Sequence, residues 1–482
     1  MTAPAAPILW TAAEAAAAVN GRAEGPGWRA GGVAIDSRAV HPGDLFMALK
    51  GPRLDGHAFV ADAFKLGAAA AVVARTPPDL PAGAALLRVA DTQAALEALG
   101  RTARARTAAR VAAVTGSVGK TGVKEALRHV LSRQGLTSAS VGSFNNQWGV
   151  PLSLARMPRA AAFGVFEIGM NHPGEITPLV AMVRPHVAVI TAIAPAHMEF
   201  FPDLDAVADA KAEIFSGLEP DGAAILPADS AQYPRLAAAV RRRRGARIVA
   251  FGLGEGTTQD ARALSFALHA DGAVVDADIA GLRVEYRLKL PGRHWVSNSL
   301  AVLAAVHALG ADVAAAAAAL GDILPLKGRG ERHRVALGGG TFLLIDESYN
   351  ASPASMAAAI AAAGAVSPAD GGRRIAVLGD MLELGSDSAA RHAALAPLLV
   401  EARFDLVFTA GAQMKALAEA LPKDMRAGHA DTAAGVAPLV VDALRAGDAI
   451  MVKGSAGSRT ATIVQTLLAL AANPTAQAVN GN

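Results

Sequence analysis

The amino-acid sequence predicts an α/β protein of three domains, and three observations lead to that fold class. The chain has 482 residues, which is too many for one compact core. From residue 110 onward, nearly continuous apolar runs alternate with helical stretches, as expected for parallel strands that are covered on both faces. This alternation pauses and then restarts after residue 326, which indicates a second doubly wound domain.

Each domain has its own pattern of predicted elements. Residues 1–108 carry short strand-like pieces broken by Pro-Gly and Asp-Gly turns, which predicts a mixed α/β domain. Residues 109–326 contain the runs VAAVT, FGVFEIG, HVAVITAI, GAAIL and RIVAFG, which predict a mostly parallel sheet, followed by strand-like alternation over residues 264–290. Residues 327–482 contain TFLLID, RIAVLGD, DLVFTAG and DAIMVKGS, each followed by an alanine-rich helix.

Composition and charge exclude several classes of protein. Hydrophobic residues make up 52% and charged residues 18% of the chain, which is typical of packed domains and not of disorder. The net charge of +3 is too small to indicate a nucleic-acid partner, and the basic run Arg241–Arg244 is better explained as a solvated helix end. The chain has no cysteine, so disulfides and thiolate metal sites are excluded.

Segments that would direct the protein to or through a membrane are not expected. The N-terminus lacks a basic leader, and Glu14 interrupts its apolar run. The alanine-rich stretch at residues 311–324 is shorter than a membrane span requires. We therefore expect a soluble, cytoplasmic protein without membrane insertion.

The segment VAAVTGSVGKTGVKEAL, residues 111–127, predicts a phosphate-binding loop. A buried strand leads into a turn with Gly116 and Gly119, and a helix begins near Lys120. Such a turn brings backbone N–H groups and a helix N-terminus toward an anion, while Lys120 reaches phosphates and the Thr121 hydroxyl binds Mg²⁺. The general consensus has a glycine where this chain has Val114, so a simple strand-to-helix turn remains the alternative.

Two further polar side chains follow predicted strands of the same domain. Glu167 ends the strand in FEIGMNHPGEI, and His197 follows the strand at residues 187–193 in APAHMEFF. Ligand sites of α/β proteins lie at the carboxyl ends of their strands. A carboxylate and an imidazole beside a phosphate loop could hold one or two Mg²⁺ ions. Taken singly, Glu167 is better explained as a capping glutamate and His197 as a core histidine with its hydrogen bonds satisfied, and it is their joint position after a phosphate loop that favours a metal site.

The motifs together resemble those of the Mur ligase family. TGSVGKT, FEIGMNHPGEI, AHMEFF, AKAEIF, GRHWVSNSLAVLAAV and DESYNASPASM occur in the family's order, and the shorter loop T-G-[ST]-x-G-K-[ST] of that family fits without a glycine at Val114. The resemblance extends from the DSR and DGH segments of the first domain to VKGS at residues 452–455. It implies a UDP-muramoyl-peptide-binding domain at residues 1–108, an ATP-binding P-loop domain at 109–326 and a Rossmann-like ligase domain at 327–482.

Within the family, DESYNASP and LGDMLELG resemble the branch that adds D-Ala-D-Ala to UDP-N-acetylmuramoyl-tripeptide. The implied partners are these two substrates, and the implied cofactors are ATP and two Mg²⁺ ions. The tripeptide carboxylate would take the γ-phosphate of ATP, and the dipeptide amine would then attack the acyl phosphate, in the last cytoplasmic step toward the peptidoglycan pentapeptide precursor. A related ligase with another acceptor and an NTP-dependent switch remain alternatives. We expect a monomer.

The resemblance also assigns metal ligands. Thr121 and Glu167 would bind one ion and His197 the second. Lys211, in DAKAEIF, matches a position at which the family carries a carbamylated lysine, whose added carboxylate is a metal ligand. From the residues alone, a lysine between Asp209 and Glu213 is better explained as solvated.

Further positions are implied for nucleotide and substrates. His294 and Asn298, four residues apart on one helix, would bind adenine, Arg329 the γ-phosphate, and Asp346 the ribose or a metal-bound water. The implied catalytic residues are Lys120, Lys211, His197 and Arg329, and the implied ATP-binding loop comprises Gly116, Ser117, Val118, Gly119, Lys120 and Thr121. The implied substrate-binding residues are Ser37, Arg38, Asp55, His57, Asn145, Asn146, Tyr349, Asn350, Lys453 and Ser455. The chain departs from the family pattern at Glu347, often aspartate, and at Ala461, usually glutamate.

Overall fold

A computed structural model of the protein describes residues 7–196, 198–254, 259–369 and 371–472. Across these residues the chain forms one small and three large sheets flanked by helices, which confirms the predicted α/β class. Each large sheet lies inside one predicted domain range. The boundaries near residues 108 and 326 stay predictions.

The N-terminal part is built on a sheet of five strands in the order β2-β7-β6-β5-β4, parallel except for the β2–β7 pair. A separate antiparallel pair joins β1 to β3. The elements are β1 (Trp10–Thr11), α1 (Ala12–Val19), β2 (Arg22–Glu24), β3 (Arg29–Ala30), β4 (Gly32–Ala34), β5 (Asp44–Met47), α2 (Val60–Lys65), β6 (Ala70–Val73), β7 (Leu86–Arg88) and α3 (Thr92–Ala105).

The central part contains a nine-stranded sheet in the order β16-β15-β14-β13-β12-β11-β8-β10-β9. Its elements are β8 (Arg110–Thr115), α4 (Lys120–Leu131), β9 (Thr137–Ala139), α5 (Gly149–Ala155), β10 (Phe163–Glu167), α6 (Ile176–Val183), β11 (Val187–Ile190), α7 (Leu204–Ala212), β12 (Ala223–Pro227), α8 (Tyr233–Arg241), β13 (Arg247–Gly252), β14 (Ala261–His269), β15 (Gly272–Ile279), β16 (Leu282–Leu288), α9 (Arg293–Ala308) and α10 (Val313–Leu320).

The burial of these strands explains their sequence patterns. β8, β10, β11 and β12 are buried almost throughout because an apolar cluster covers each face of the sheet. β14, β15 and β16 pair antiparallel, and β16 alternates buried and exposed residues, as the alternation over residues 264–290 predicted. The basic run Arg241–Arg244 is exposed at the end of α8, which confirms its interpretation as a solvated helix end.

The C-terminal part forms a six-stranded sheet in the order β17-β18-β22-β19-β20-β21, parallel except for the β17–β18 hairpin. Apolar clusters pack on both of its faces. The elements are β17 (Glu331–Leu337), β18 (Gly340–Glu347), α11 (Pro353–Gly364), β19 (Arg374–Gly379), α12 (Ser388–Ala393), α13 (Leu395–Glu401), β20 (Leu406–Ala410), α14 (Lys415–Ala420), β21 (Arg426–Ala430), α15 (Ala433–Ala443), β22 (Ala449–Lys453) and α16 (Ala461–Ala469).

Direct contacts join the N-terminal part to helix α5 of the central part. The indole N–H of Trp10 donates to the carbonyl of Ala155 at 2.9 Å, and the Arg156 guanidinium donates to the carbonyl of Val33 at 2.6 Å. The apolar core of the N-terminal part continues onto Leu152 and Ala155. This packing places the N-terminal part beside the loop that leads into α5.

The length and hydropathy of the helices bear on contact with membranes. Across the part of the chain that the structure describes, none of the helices combines the length and the apolar character needed to cross a bilayer.

Candidate active site

The predicted phosphate loop connects β8 to α4 at the carboxyl edge of the central sheet. Gly116 has φ +150°, and a Cβ there would lie 2.0 Å from the Thr191 hydroxyl oxygen. Gly119 precedes α4 in the left-handed region at φ +84°. Val114 is fully buried inside β8, so the glycine of the longer consensus falls on a strand residue. The loop is therefore a tight glycine turn at a helix N-terminus, the arrangement that binds anions.

Lys120 folds back over this loop. Its Nζ donates to the carbonyl oxygens of Gly116 at 2.8 Å and Ser117 at 3.4 Å. Burial lowers the pKa of Lys120, and the nearby carboxylate of Glu167 opposes that shift. Among the described residues the Lys120 ammonium has only carbonyl partners, and an anion bound at the loop would be a stronger acceptor.

Thr121 connects the loop to the C-terminal part. The Arg329 guanidinium donates to the Thr121 hydroxyl at 3.2 Å, and Arg329 stacks over the Tyr349 ring at 4.0 Å from its centroid. The Tyr349 hydroxyl donates to the Ser143 hydroxyl oxygen at 2.5 Å, and that oxygen lies 3.5 Å from the Thr121 hydroxyl. Side chains from both sides of the junction therefore meet at Thr121, the second residue of α4.

Glu167 lies buried at the end of β10, next to the phosphate loop. Its Oε1 accepts a hydrogen bond from the Asn145 amide at 2.7 Å. Its Oε2 is buried and has no hydrogen-bond partner among the described residues. An unpartnered, buried carboxylate oxygen is unfavourable unless a cation binds it. Together with the Thr121 hydroxyl, this oxygen is a fitting ligand for a hard divalent cation such as Mg²⁺.

Lys211 is the next-to-last residue of α7 and is only 2% exposed, so its interpretation as a solvated lysine is wrong. Its ammonium makes no hydrogen bond to any described residue. Burial and the neighbouring charge of Lys120 lower the pKa of Lys211 well below its ordinary value. The amine is therefore biased toward its neutral, nucleophilic form. His197, the other predicted ligand of the second metal, lies outside the described residues.

A cavity of about 650 Å³ lies between the central and C-terminal parts. This volume is within the usual range for small-ligand sites. Of the residues predicted from the sequence, those that line the cavity are Ser117, Val118, Gly119, Lys120, Thr121, Asn145, Glu167, His294, Asn298, Arg329, Tyr349, Asn350, Lys453 and Ser455. The structure thus brings the phosphate loop, Glu167 and five polar side chains of the C-terminal part to one space.

His294 and Asn298 face this cavity from α9. A Cβ at Gly119 would lie 3.0 Å from the Asn298 amide oxygen, so the helix passes close to the phosphate loop. The His294 side chain is exposed to the cavity, and protein atoms surround it on its other sides. Its pKa is lowered, because this desolvation outweighs the opposing effect of the Glu347 carboxylate. Both residues line the cavity, and their contact with the base of a nucleotide, which the family resemblance implied, stays a prediction.

The C-terminal wall is held together by a buried lysine. Lys453 Nζ donates to the carbonyl of Asn350 at 3.0 Å and to the Glu347 carboxylate at 3.3 Å. Glu347, the departure from the family's aspartate, therefore forms an ion pair inside the cavity wall. The Ser455 hydroxyl accepts from the N–H of Leu382 at 3.0 Å, which ties the 382–384 loop to the same wall.

Asp346 does not line the cavity. It is 3% exposed and accepts hydrogen bonds from the Ser348 backbone N–H at 3.0 Å and hydroxyl at 2.6 Å. Its carboxylate also lies within 4.8 Å of ligand atoms of Glu331 and His333. In this structure the residue shapes the turn after β18, and its contact with a ribose stays a prediction.

The predicted substrate residues of the N-terminal part lie away from this cavity and have partners of their own. Arg38 is exposed and pairs with Asp36, its Nη2 at 2.6 Å from Oδ2, in the turn that contains Ser37. His57 is buried, and its Nδ1 lies 2.6 Å from Asp55 Oδ1. Its Nε2 accepts from the N–H of Ala74 at 2.9 Å. Neither ring nitrogen of His57 is left for a ligand, so its contacts favour a structural role over substrate binding.

Replacing His57 by alanine is expected to destabilise the protein and to leave the KM for its substrates nearly unchanged. The change removes two hydrogen bonds and leaves the Ala74 N–H without its partner, which costs about 2–3 kcal/mol of unfolding free energy. Urea unfolding and steady-state kinetics at a temperature below unfolding measure the two effects. Arg38→Ala is the control for the unfolding measurement alone, since its exposed ion pair contributes little to stability. A normal unfolding curve with a raised KM would restore His57 to the substrate site.

Lys124 and Ser143 contact the site, and the sequence patterns did not single out either of them. Lys124 is fully buried one helical turn after Lys120, and its ammonium donates to the carbonyls of Ser140 at 2.8 Å and Gly142 at 3.0 Å. It thereby holds the loop that carries Ser143, the hydroxyl between Thr121 and Tyr349. A lysine four residues after another on one helix face was the available signal.

Comparison with known proteins agrees with this architecture. Residues 29–107 match the catalytic domain of the Mur ligase family, residues 114–306 the Mur ligase middle domain, and residues 328–456 the glutamate ligase domain of Mur ligases. A UDP-N-acetylmuramoyl-tripeptide–D-alanyl-D-alanine ligase of Escherichia coli strain K12 is 36% identical over 402 residues, covering 83% of this chain and 86% of the relative.

Solved structures extend the likeness to the fold. A crystal structure of MurF from Acinetobacter baumannii superposes with a TM-score of 0.82 at 32% identity, covering 95% of this chain and 98% of the other. The MurF ligase of Thermotoga maritima in complex with ADP gives a TM-score of 0.73 at 25% identity, covering 91% and 97%. With its phosphate loop, buried glutamate and three matched domains, the chain belongs to the Mur ligase family, and within it to the MurF type.

Proposed function

We propose that this protein is an ATP-dependent ligase that joins D-Ala-D-Ala to UDP-N-acetylmuramoyl-tripeptide in the synthesis of the peptidoglycan precursor. The observation that carries the proposal is the single cavity in which Lys120, Thr121 and Glu167 face Arg329 and Lys453. The relative named above has this activity in its name, and the Thermotoga structure contains ADP.

The reaction brings two anions together, and the charged side chains around the cavity suit that task. A tripeptide carboxylate oxygen attacks the γ-phosphorus of ATP, and the bond to the β–γ bridging oxygen breaks to release ADP. The dipeptide nitrogen then attacks the acyl phosphate carbon, and inorganic phosphate leaves as the amine loses a proton. Lys120 and Arg329 would hold phosphoryl oxygens while charge accumulates there.

The donor set of the site fits magnesium, although the ions themselves are part of the proposal. Thr121 and Glu167 would hold one ion, whose charge neutralises phosphate oxygens. For a second ion we propose Lys211 as its carbamate, together with His197. The neutral amine of Lys211 attacks carbon dioxide, a C–N bond forms, and the nitrogen releases its proton to solvent. The product carries negative charge beside Lys120, so the carbamate is attracted to the cation whose charge disfavours protonated Lys211.

The remaining roles belong to the same proposal. Ser37, Arg38 and Asp55 would contact the UDP-linked substrate from the N-terminal part, and His294 and Asn298 the adenine of ATP. Asn350 and Ser455 would contact the entering dipeptide. Both ATP and the UDP-linked substrate are available in the cytoplasm, where we propose that the protein acts as a monomer.

Phosphate release measured with each substrate omitted in turn tests the function. With ATP, Mg²⁺, UDP-muramoyl-tripeptide and D-Ala-D-Ala present, one phosphate should appear per pentapeptide formed, as counted by mass spectrometry. Omitting either organic substrate should reduce phosphate release to background. Release that needs neither of them would indicate a nucleotide switch, and efficient use of a single amino acid in place of the dipeptide would indicate a different ligase of the family.

A further inference from the structure

We propose that Asn145 is a positioning residue, which orients the Glu167 carboxylate for the metal ion instead of binding the sugar or peptide of the substrate. This inference rests on the proposed function, since it assigns a cation to Glu167. It differs from the role that the family resemblance implied for Asn145.

The first support is the way the two oxygens of Glu167 are used. Oε1 lies 2.7 Å from the Asn145 amide nitrogen, and a carboxylate can only accept, so the amide must donate. Oε2 is buried without a hydrogen-bond partner among the described residues. The neutral amide therefore fixes one oxygen without cancelling the charge of the group, and it leaves the other oxygen for a cation. Such outer partners of metal ligands set the ligand's orientation.

The second support is that Asn145 is itself held in place. The N–H of Gly169, two residues after Glu167, donates to the Asn145 carbonyl at 2.9 Å. A Cβ on Gly169 would lie 2.8 Å from Cγ and Oδ1 of Asn145, so the two segments touch where only glycine fits. Lys124 anchors the preceding residues through the carbonyls of Ser140 and Gly142. The amide is thus clamped between the strand end and the loop.

The neighbouring Asn146 makes different hydrogen bonds from those of Asn145. Asn146 Oδ1 accepts from the backbone N–H groups of Trp148 at 3.2 Å and Gly149 at 3.0 Å. These bonds shape the turn before α5, and Asn146 does not line the cavity. One asparagine therefore starts the helix, and the other reaches the carboxylate.

Mn²⁺ affinity is the direct test, because a substrate-binding residue would not change it. Free Mn²⁺ is measured by EPR in titrations of the full chain saturated with a non-hydrolysable ATP analogue. Asn145→Ala should weaken Mn²⁺ binding by about 10-fold or more. Gly169→Ala should weaken it similarly without removing a polar group, because the new methyl group displaces Asn145. Asn146→Ala and Gly27→Ala are matched controls, the latter because nothing lies within 4 Å of a Cβ at Gly27, and both should keep the wild-type Mn²⁺ affinity.

Glu167→Gln separates failure of this inference from failure of the proposed function. If Glu167→Gln weakens Mn²⁺ binding but Asn145→Ala and Gly169→Ala do not, and Asn145→Ala raises the KM of the UDP-linked substrate, then Asn145 binds substrate and the inference is wrong. If Glu167→Gln also leaves Mn²⁺ affinity unchanged, the metal role of Glu167 is wrong as well. Thermal unfolding of every variant shows that the binding data come from folded protein.

Discussion

Replacing Lys120 by methionine is expected to lower kcat/KM by about 10³-fold or more, since the missing cation stabilises charge that develops on the transferred phosphoryl group. Its ammonium donates to the Gly116 and Ser117 carbonyls, whose loop would receive the phosphates. Methionine keeps the length of the side chain and removes the charge. Because burial already disfavours the ammonium form, the folded protein should lose little stability and could gain some.

Coupled-assay kinetics and thermal unfolding measure the two effects on the Lys120 variant. Lys120→Arg is an informative companion, since it keeps the charge but changes the donor geometry, and it should remain strongly impaired. Lys65→Met is the matched control, because Lys65 is exposed and its ion pair with Asp62 lies on the surface. A Lys120→Met variant that retains activity within 10-fold of wild type would contradict the phosphate role.

Replacing Lys211 by alanine is expected to lower kcat by about 100-fold or more, with partial rescue by short carboxylates such as acetate. Lys211 is almost fully buried and lacks a hydrogen-bond partner among the described residues. The charge of Lys120 lies close enough to lower its pKa further. A buried lysine in that position is unfavourable as a cation. As a carbamate it becomes an anion beside a cation and a ligand for a metal ion, and a diffusible carboxylate could take its place in the alanine variant.

Rescue is measured as the rise in kcat of Lys211→Ala with acetate concentration, against chloride at equal ionic strength. Lys120→Ala should show no rescue by acetate, because it lacks a cation and not a carboxylate. Full activity of Lys211→Ala in the absence of carboxylate would exclude the carbamate. Equal stimulation by chloride would show that the effect of acetate is one of ionic strength only.

Local sequence patterns were sufficient for much of the fold and for the centre of the site. The apolar runs predicted the parallel strands because a strand that is covered on both faces needs apolar residues at successive positions. The glycines and lysine of residues 116–121 predicted the loop, since its backbone conformation depends on those residues themselves. Glu167 was found because its position at the end of a strand already places it at the edge where ligands bind.

Contacts between distant segments were decided by the tertiary structure alone. The burial of Lys211, the hydrogen bond from Asn145 to Glu167, the reach of Arg329 to Thr121 and the enclosure of His57 each join segments whose sequences carry no sign of one another. Solvation, charge and hydrogen bonding depend on which atoms surround a side chain, and packing sets those surroundings. The sequence by itself therefore determined the strands, the phosphate loop and the family. Packing decided that Lys211 is buried and that Asn145, not Asn146, donates to Glu167.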